Sequence, residues 1–211
     1  MTLVLDLDET LVHATRNPTD HYDFVIELTV DRRHTTFYAT KRPHVDEFLS
    51  RLHPYFEIVI FTASRQEYAD RIIDHMDIYP WVDKRFFRDD CIELDGGRFV
   101  KNLQLVRDNL SKIILVDDSP IAISKNPENV VAIDAFHGDQ TDCKLLDLVP
   151  FLLGLRKVRD VRMVLSCRLL LRRTFYEYAS EVSKHGINSG NAEPASMTLS
   201  RRLGCVHDGP T

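Results

Sequence analysis

The chain has 211 residues and a formal net charge of −5, with 44% hydrophobic and 28% charged residues. That allows one domain with a sizeable core plus an appended segment, and the acidic balance argues against a nucleic-acid binder, which normally carries a basic surplus. Cys91, Cys143, Cys167 and Cys205 form no CxxC or Cys/His metal spacing, as in a reduced, intracellular protein, and no apolar run is long enough to span a bilayer.

Leu3-Val4-Leu5, ending in Asp6, is a fully apolar run that predicts a buried parallel strand almost at Met1, so no signal peptide is expected ahead of the fold. Phe24 to Val30 and Thr35 to Tyr38 alternate and are rich in β-branched residues. Asp31-Arg32-Arg33 lies between them, so the pair predicts a hairpin. Pro43 opens a helical pattern with Val45, Phe48, Leu49 and Leu52 on one face and Pro54 beyond its end. Ile58 to Phe61 predicts a second buried strand, and Arg65 to Met76 a helix that turns Tyr68, Ile72 and Ile73 inward.

Lys84 to Val100 predicts small strands around Asp95-Gly96-Gly97. Ile113 to Val116 and Val130 to Ile133 predict the third and fourth buried strands. Asp142 to Leu155 predicts a helix, as does much of Val158 to Val182. Beyond Gly186 the small and polar residues show no periodicity and predict a disordered tail. Arg156, Lys157, Arg159, Arg162, Arg168, Arg172 and Arg173 alternate with Val158, Val161, Val164, Leu165 and Leu169. The bland reading, an apolar side packed on the domain with charges in water, is favoured over peripheral membrane contact.

Short apolar strands separated by helices indicate an α/β, doubly wound parallel sheet, whose ligand sits beyond the carboxyl ends of its strands. Asp6-Leu7-Asp8-Glu9-Thr10 follows the first strand, Thr62-Ala63-Ser64 the second and Asp117-Asp118-Ser119 the third, so three polar clusters converge on one edge. Phosphoryl transfer needs a nucleophile in line, a proton donor and positive charge against the phosphate oxygens. Asp6 suits the nucleophile and Asp8 the acid and later the base. Thr62 can hold a phosphate oxygen, Lys101 can neutralise the phosphate, and Mg²⁺ suits Asp6 and Asp118, with Asp117 in support. Each feature has a bland counterpart, such as a helix cap, a polar turn or a solvated loop. Their order along the chain carries the argument.

The segments DLDETLVH, KRPHVDEFL, IFTAS, FVKNL and LVDDSP resemble the FCP/SCP-type phosphatases of the haloacid dehalogenase superfamily, over roughly residues 2 to 165. The resemblance implies a phosphatase domain over 1–165, a helical extension over 166–185 and a tail over 186–211. It implies Asp6 as nucleophile, Asp8 as acid/base and donor of a backbone carbonyl to Mg²⁺, and Thr62 and Lys101 as phosphate ligands. Tyr68 and Arg88 match positions that line the family's substrate groove, and Thr10 is also expected on the substrate side. The family commonly places asparagine where this chain has Asp118. Its members act on phosphoserine in Ser-Pro contexts, notably in the polymerase II C-terminal repeat, or at the nuclear envelope. An aromatic residue forms a proline pocket in the small phosphatases, and Arg16-Asn17-Pro18 stands in its place here.

A phosphoprotein substrate in the nucleus or cytoplasm is therefore expected. The segments from Thr10 to Thr62 and from Thr62 to Lys101 leave no room for a cap domain, which disfavours the alternative of a metabolite phosphatase. A second alternative is a family branch that binds import presequences without hydrolysis. It is disfavoured because Asp6, Asp8, Thr62, Lys101 and Asp118 are all present.

Overall fold

The computed structural model describes residues 1–19, 21–30 and 33–167. Thr2–Leu5 (β1) is buried at every position because both of its faces are covered. It pairs in parallel with Glu57–Phe61 (β5) on one side and Ile113–Asp117 (β9) on the other. Val130–Ala132 (β10) extends the sheet beyond β9, and Lys84–Phe86 (β6) beyond β5. The order is β10-β9-β1-β5-β6, all parallel. The chain leaves β1 towards β5 and β6 and then returns to β9, so the switch point lies between β1 and β9. A ligand crevice is expected there. Leu5 stands opposite both Ile60 and Val116, which brings the ends of β1, β5 and β9 level.

Alternation along the strands divides the core in two. Leu3, Leu5, Ile58, Ile60, Ile114 and Val116 share one cluster with the buried faces of Val45–Leu52 (α1), Gln66–Met76 (α2) and Lys144–Leu155 (α4). Val4, Val59, Phe61, Ile113 and Leu115 face the other way. They pack on Leu103 of the single-turn helix Leu103–Val106 (α3) and on Val130. Residues 161–167 are helical, with Val161 and Leu165 fully buried in the first cluster. This part of the basic stretch therefore turns its apolar side onto the domain. The rest of it, the expected extension and the expected tail lie outside the described residues. No helix among the described residues is long and apolar enough to cross a membrane.

One β element went unread in the sequence, and another was expected in the small β element rather than in the main sheet. Val12–Thr15 (β2) pairs with Arg33–Lys41 (β4), which also pairs with Phe24–Val30 (β3), so the expected hairpin is a three-stranded antiparallel sheet. Lys84–Phe86 belongs to the main sheet, and only Ile92–Leu94 (β7) and Arg98–Val100 (β8) form the small β element. A three-residue edge strand with two basic residues carries no strand periodicity, so its pairing shows only in three dimensions. These small sheets are the only β elements that interrupt the layered core among the described residues, and neither is a cap domain.

Arg42 ties the loop after β1 to the loop before α4 and is fully buried. Its Nε and Nη2 donate to Asp142 at 2.9 and 2.8 Å, its Nη1 to the Thr10 carbonyl at 3.0 Å, and its Nη2 also to the Asp134 carbonyl at 3.0 Å. Removing one partner of a buried pair leaves the other charged and desolvated. Arg42→Met is therefore expected to lower stability by about 3–5 kcal/mol, read by urea denaturation.

Candidate active site

The level strand ends place Asp6, Thr62 and Asp117 side by side, as the sequence order implies. The backbone N–H of Asp6 still donates to Val116 at 3.0 Å, which fixes the turn out of β1. Glu9 then adopts a left-handed backbone with φ of 62°, a conformation that side chains other than glycine seldom take. Its carboxylate lies 2.8 Å from Nδ1 of both His13 and His137, and its carbonyl accepts the Phe136 N–H at 2.6 Å. The turn is thereby pinned to the loop after β10. Nothing in the sequence marked His137, which is remote from Glu9 along the chain.

Lys101 follows β8 and is 1% exposed. Its ammonium bridges Asp6 Oδ1 at 2.5 Å and Asp117 Oδ2 at 2.6 Å. Burial alone would favour neutral lysine, but the two carboxylates override it and hold Lys101 protonated. Asp117 is fully buried and also accepts the Ser119 N–H at 2.7 Å. It fixes the lysine and does not face the cleft. Burial first, then the charge of Asp6, pushes its carboxyl up, against the opposing pull of Lys101.

Asp6, Asp8, Thr62, Ser64, Arg88, Lys101 and Asp118 line one cleft of about 400 Å³. Oδ2 of Asp6 makes no hydrogen bond among the described residues and is free for a reacting group. Asp8 accepts from Tyr68 Oη at 2.6 Å, Ser64 Oγ at 2.7 Å and Thr62 Oγ1 at 3.3 Å. Ser64 was missed in the sequence as a partner of Asp8, although it stands in the polar cluster after β5. Burial, followed by the nearby charge of Asp6, raises the Asp8 carboxyl above its ordinary value, while the hydroxyl donors oppose the shift. Burial and the Asp8 charge raise the Tyr68 phenol in turn, so it remains a donor.

Thr10 is fully buried and donates to Asp118 Oδ1 at 3.0 Å. Thr10, expected on the substrate side, is placed here as a support for Asp118 and is absent from the residues lining the cleft. Tyr68 and Arg88 do reach open space beside Asp8.

Oxygens of Asp6, Asp117 and Asp118 lie within 4.8 Å of one another. These three carboxylates face a single ammonium, so the cluster keeps excess negative charge. Its donors are all hard oxygens, a set that fits Mg²⁺ better than zinc. Burial, then the Asp6 charge, raises the Asp118 carboxyl, with Thr10 opposing. A carboxyl whose folded pKa is raised destabilises the fold above its unfolded pKa, and the penalty disappears once both states are protonated. Asp118→Asn is therefore expected to raise the Tm of metal-free protein at pH 7 and to lose that gain in acid. Thermal melts should also show a smaller rise on adding divalent cation.

With this geometry in place, comparison with known proteins identifies the lineage. Residues 1–162 match the family described as NLI interacting factor-like phosphatase. A human CTD small phosphatase-like protein is 43% identical over 163 residues, 77% of this chain and 59% of that protein. The zebrafish CTD nuclear envelope phosphatase 1B is 39% identical over 176 residues, 79% of this chain and 71% of that protein. The chain thus spans under two thirds of the length of several curated relatives it matches. The solved structure of Fcp1, an essential RNA polymerase II CTD phosphatase, aligns with a TM-score of 0.56 at 18% identity. That alignment covers 91% of this chain and 67% of that chain, and it supports the shared α/β fold. The chain belongs to the NLI interacting factor-like phosphatase family, on a haloacid dehalogenase-like fold.

Proposed function

We propose that this chain is a Mg²⁺-dependent phosphoserine/phosphothreonine protein phosphatase that works through an aspartyl-phosphate on Asp6. The observation that carries the reading is the shared cleft. Asp6 presents an unbonded oxygen there, Asp8 stands beside it with its carboxyl raised by burial, and the Lys101 ammonium is locked against Asp6.

Asp6 Oδ2 attacks phosphorus in line, and the bond from phosphorus to the serine oxygen breaks. Asp8 gives its proton to that oxygen. Asp8, now a base, takes a proton from water as the water oxygen attacks phosphorus. The bond to Asp6 then breaks, releasing phosphate and regenerating the carboxylate. Lys101 and the Thr62 hydroxyl hold the phosphate oxygens throughout. Asp6 and Asp118 side chains and the Asp8 carbonyl would hold Mg²⁺, which supplies positive charge against the phosphate when bound.

Among the described residues only small β elements stand beside the cleft, which supports an extended phosphopeptide over a small metabolite. The nuclear-envelope term in the zebrafish relative's name agrees with a nuclear or cytoplasmic substrate. The test is hydrolysis of p-nitrophenyl phosphate and a phosphoserine-proline peptide by the full chain, with Mg²⁺ or with EDTA. Turnover that needs Mg²⁺ and is lost in Asp6→Asn supports the reading. Folded wild-type protein without turnover on either substrate contradicts it.

A further inference from the structure

A second cleft, of about 380 Å³, opens beside the catalytic one and shares Asp8, Ser64 and Arg88 with it. Its floor is apolar: Leu28 from β3 and Phe37 from β4, with the Tyr68 ring 5.0 Å from that of Phe37. Its rim carries three guanidinium groups. Arg16 follows β2 and sits 5.5 Å from the Phe37 ring centroid. Arg65 stands exposed at the head of α2. Arg88 donates through Nε to the Ala63 carbonyl at 2.7 Å and lies 4.8 Å from the Phe99 ring centroid.

Arg42, Arg51, Arg85, Arg107 and Arg162 are each matched with a carboxylate. Among the described residues, Arg16, Arg65 and Arg88 have no such ion pair. Arg71, Arg98, Arg156 and Arg159 also form no ion pair among the described residues, and what sets Arg16, Arg65 and Arg88 apart is that the three border one groove. Glu67 is the one acidic residue on that rim besides Asp8. A groove with an excess of unpaired, forked donors over a hydrophobic floor is suited to an anionic side chain carried on an aliphatic stem.

We propose that this groove is a subsite for a second anionic side chain of the substrate peptide, carboxylate or phosphate, with Arg16 and Arg65 as its specificity-determining residues. The inference rests on the phosphatase reading, and it names the substrate class as acidic or multiply phosphorylated segments. Because the groove borders Asp8 directly, the second anion lies within a few residues of the scissile phosphoserine, at about 3.3 Å of chain per residue.

The test uses the full chain with Mg²⁺ and phosphoserine peptides that differ at one position, two or three residues to either side of the phosphoserine. That position carries alanine, aspartate or a second phosphoserine. On at least one side, kcat/KM for an anionic peptide is expected to exceed that for the alanine peptide about ten-fold at low salt. The ratio should fall towards one in the Arg16→Ala/Arg65→Ala double variant, and in wild type as salt is raised. A gain with phosphoserine alone assigns the subsite to phosphate, whereas equal gains assign it to either anion. A wild-type ratio near one at every position, or a ratio unchanged in the double variant, overturns the proposal.

If no peptide is hydrolysed, the phosphatase reading fails separately, and binding of the same peptides by fluorescence anisotropy decides the groove. Tighter binding of the anionic peptides, lost in the double variant, keeps the subsite. Equal binding overturns it.

Discussion

Asp8→Asn is expected to slow hydrolysis of a phosphoserine peptide by about 10²–10⁴-fold while leaving the fold at least as stable as wild type. A serine alkoxide is a poor leaving group, so the missing proton bears directly on the first step. With p-nitrophenyl phosphate the phenolate departs readily without a proton, and the loss in that step should be smaller. The second step still needs a base to activate water, so phosphate should accumulate on Asp6 in this variant.

The pH profile gives an independent reading. Burial, with the Asp6 charge second, raises the Asp8 carboxyl, so its acid form persists to higher pH than an ordinary carboxyl would allow. Wild-type kcat/KM for the peptide should fall as pH rises through that raised value, and the same limb should be absent from Asp8→Asn. The stability expectation has the same origin. A raised folded pKa means that the charged form destabilises the fold above the unfolded pKa, and a neutral amide removes that penalty.

Lys101→Met should damage both stability and chemistry. The lysine supplies the ammonium that bridges Asp6 and Asp117, and with it gone the carboxylates of Asp6, Asp117 and Asp118 face one another in a largely buried setting. Stability at pH 7 is expected to drop by about 3–5 kcal/mol in metal-free protein. Part of it should return as the pH falls and the carboxylates take up protons. Turnover should drop about 10²–10³-fold through the loss of charge against the phosphate. Adding Asp117→Asn separates the two effects. It relieves the buried repulsion and restores stability, but it cannot restore a cation to the phosphate. A double-mutant cycle therefore shows strong coupling in the melting data and little recovery of rate.

Much of the architecture was legible in the sequence because the sheet strands are short apolar runs, and the residues just after each run are polar and chemically distinctive. Asp6, Thr62 and Asp117 could be placed on one edge from the sequence, since parallel strands of one sheet end on the same side. The lysine was legible as a cation for the phosphate, but its bridge between Asp6 and Asp117 was not, because that reach depends on how β8 packs. β2, and the place of β6 in the main sheet, were hidden for different reasons. β2 is four residues long and half of it belongs to a sequence motif, whereas β6 has too few residues to show a period. The contact between Thr10 and Asp118 was not legible, because the tight turn at Glu9 that turns Thr10 inward rests on a backbone conformation no side-chain pattern announces.

The arginines of the second cleft were likewise scattered in sequence, on a loop, a helix start and a short 3₁₀ segment. Arg16 was visible as a departure from the family pattern. Its company with Arg65 and Arg88 came only from the way the three-stranded sheet folds its Leu28 and Phe37 against α2.

Whether phosphate passes through Asp6 is decided by acid-quenched turnover with labelled phosphoserine peptide. Label is expected on the proteolytic fragment that contains Asp6, and absent in Asp6→Asn. Turnover with label on no residue, or on a residue other than Asp6, would rule out the aspartyl-phosphate route.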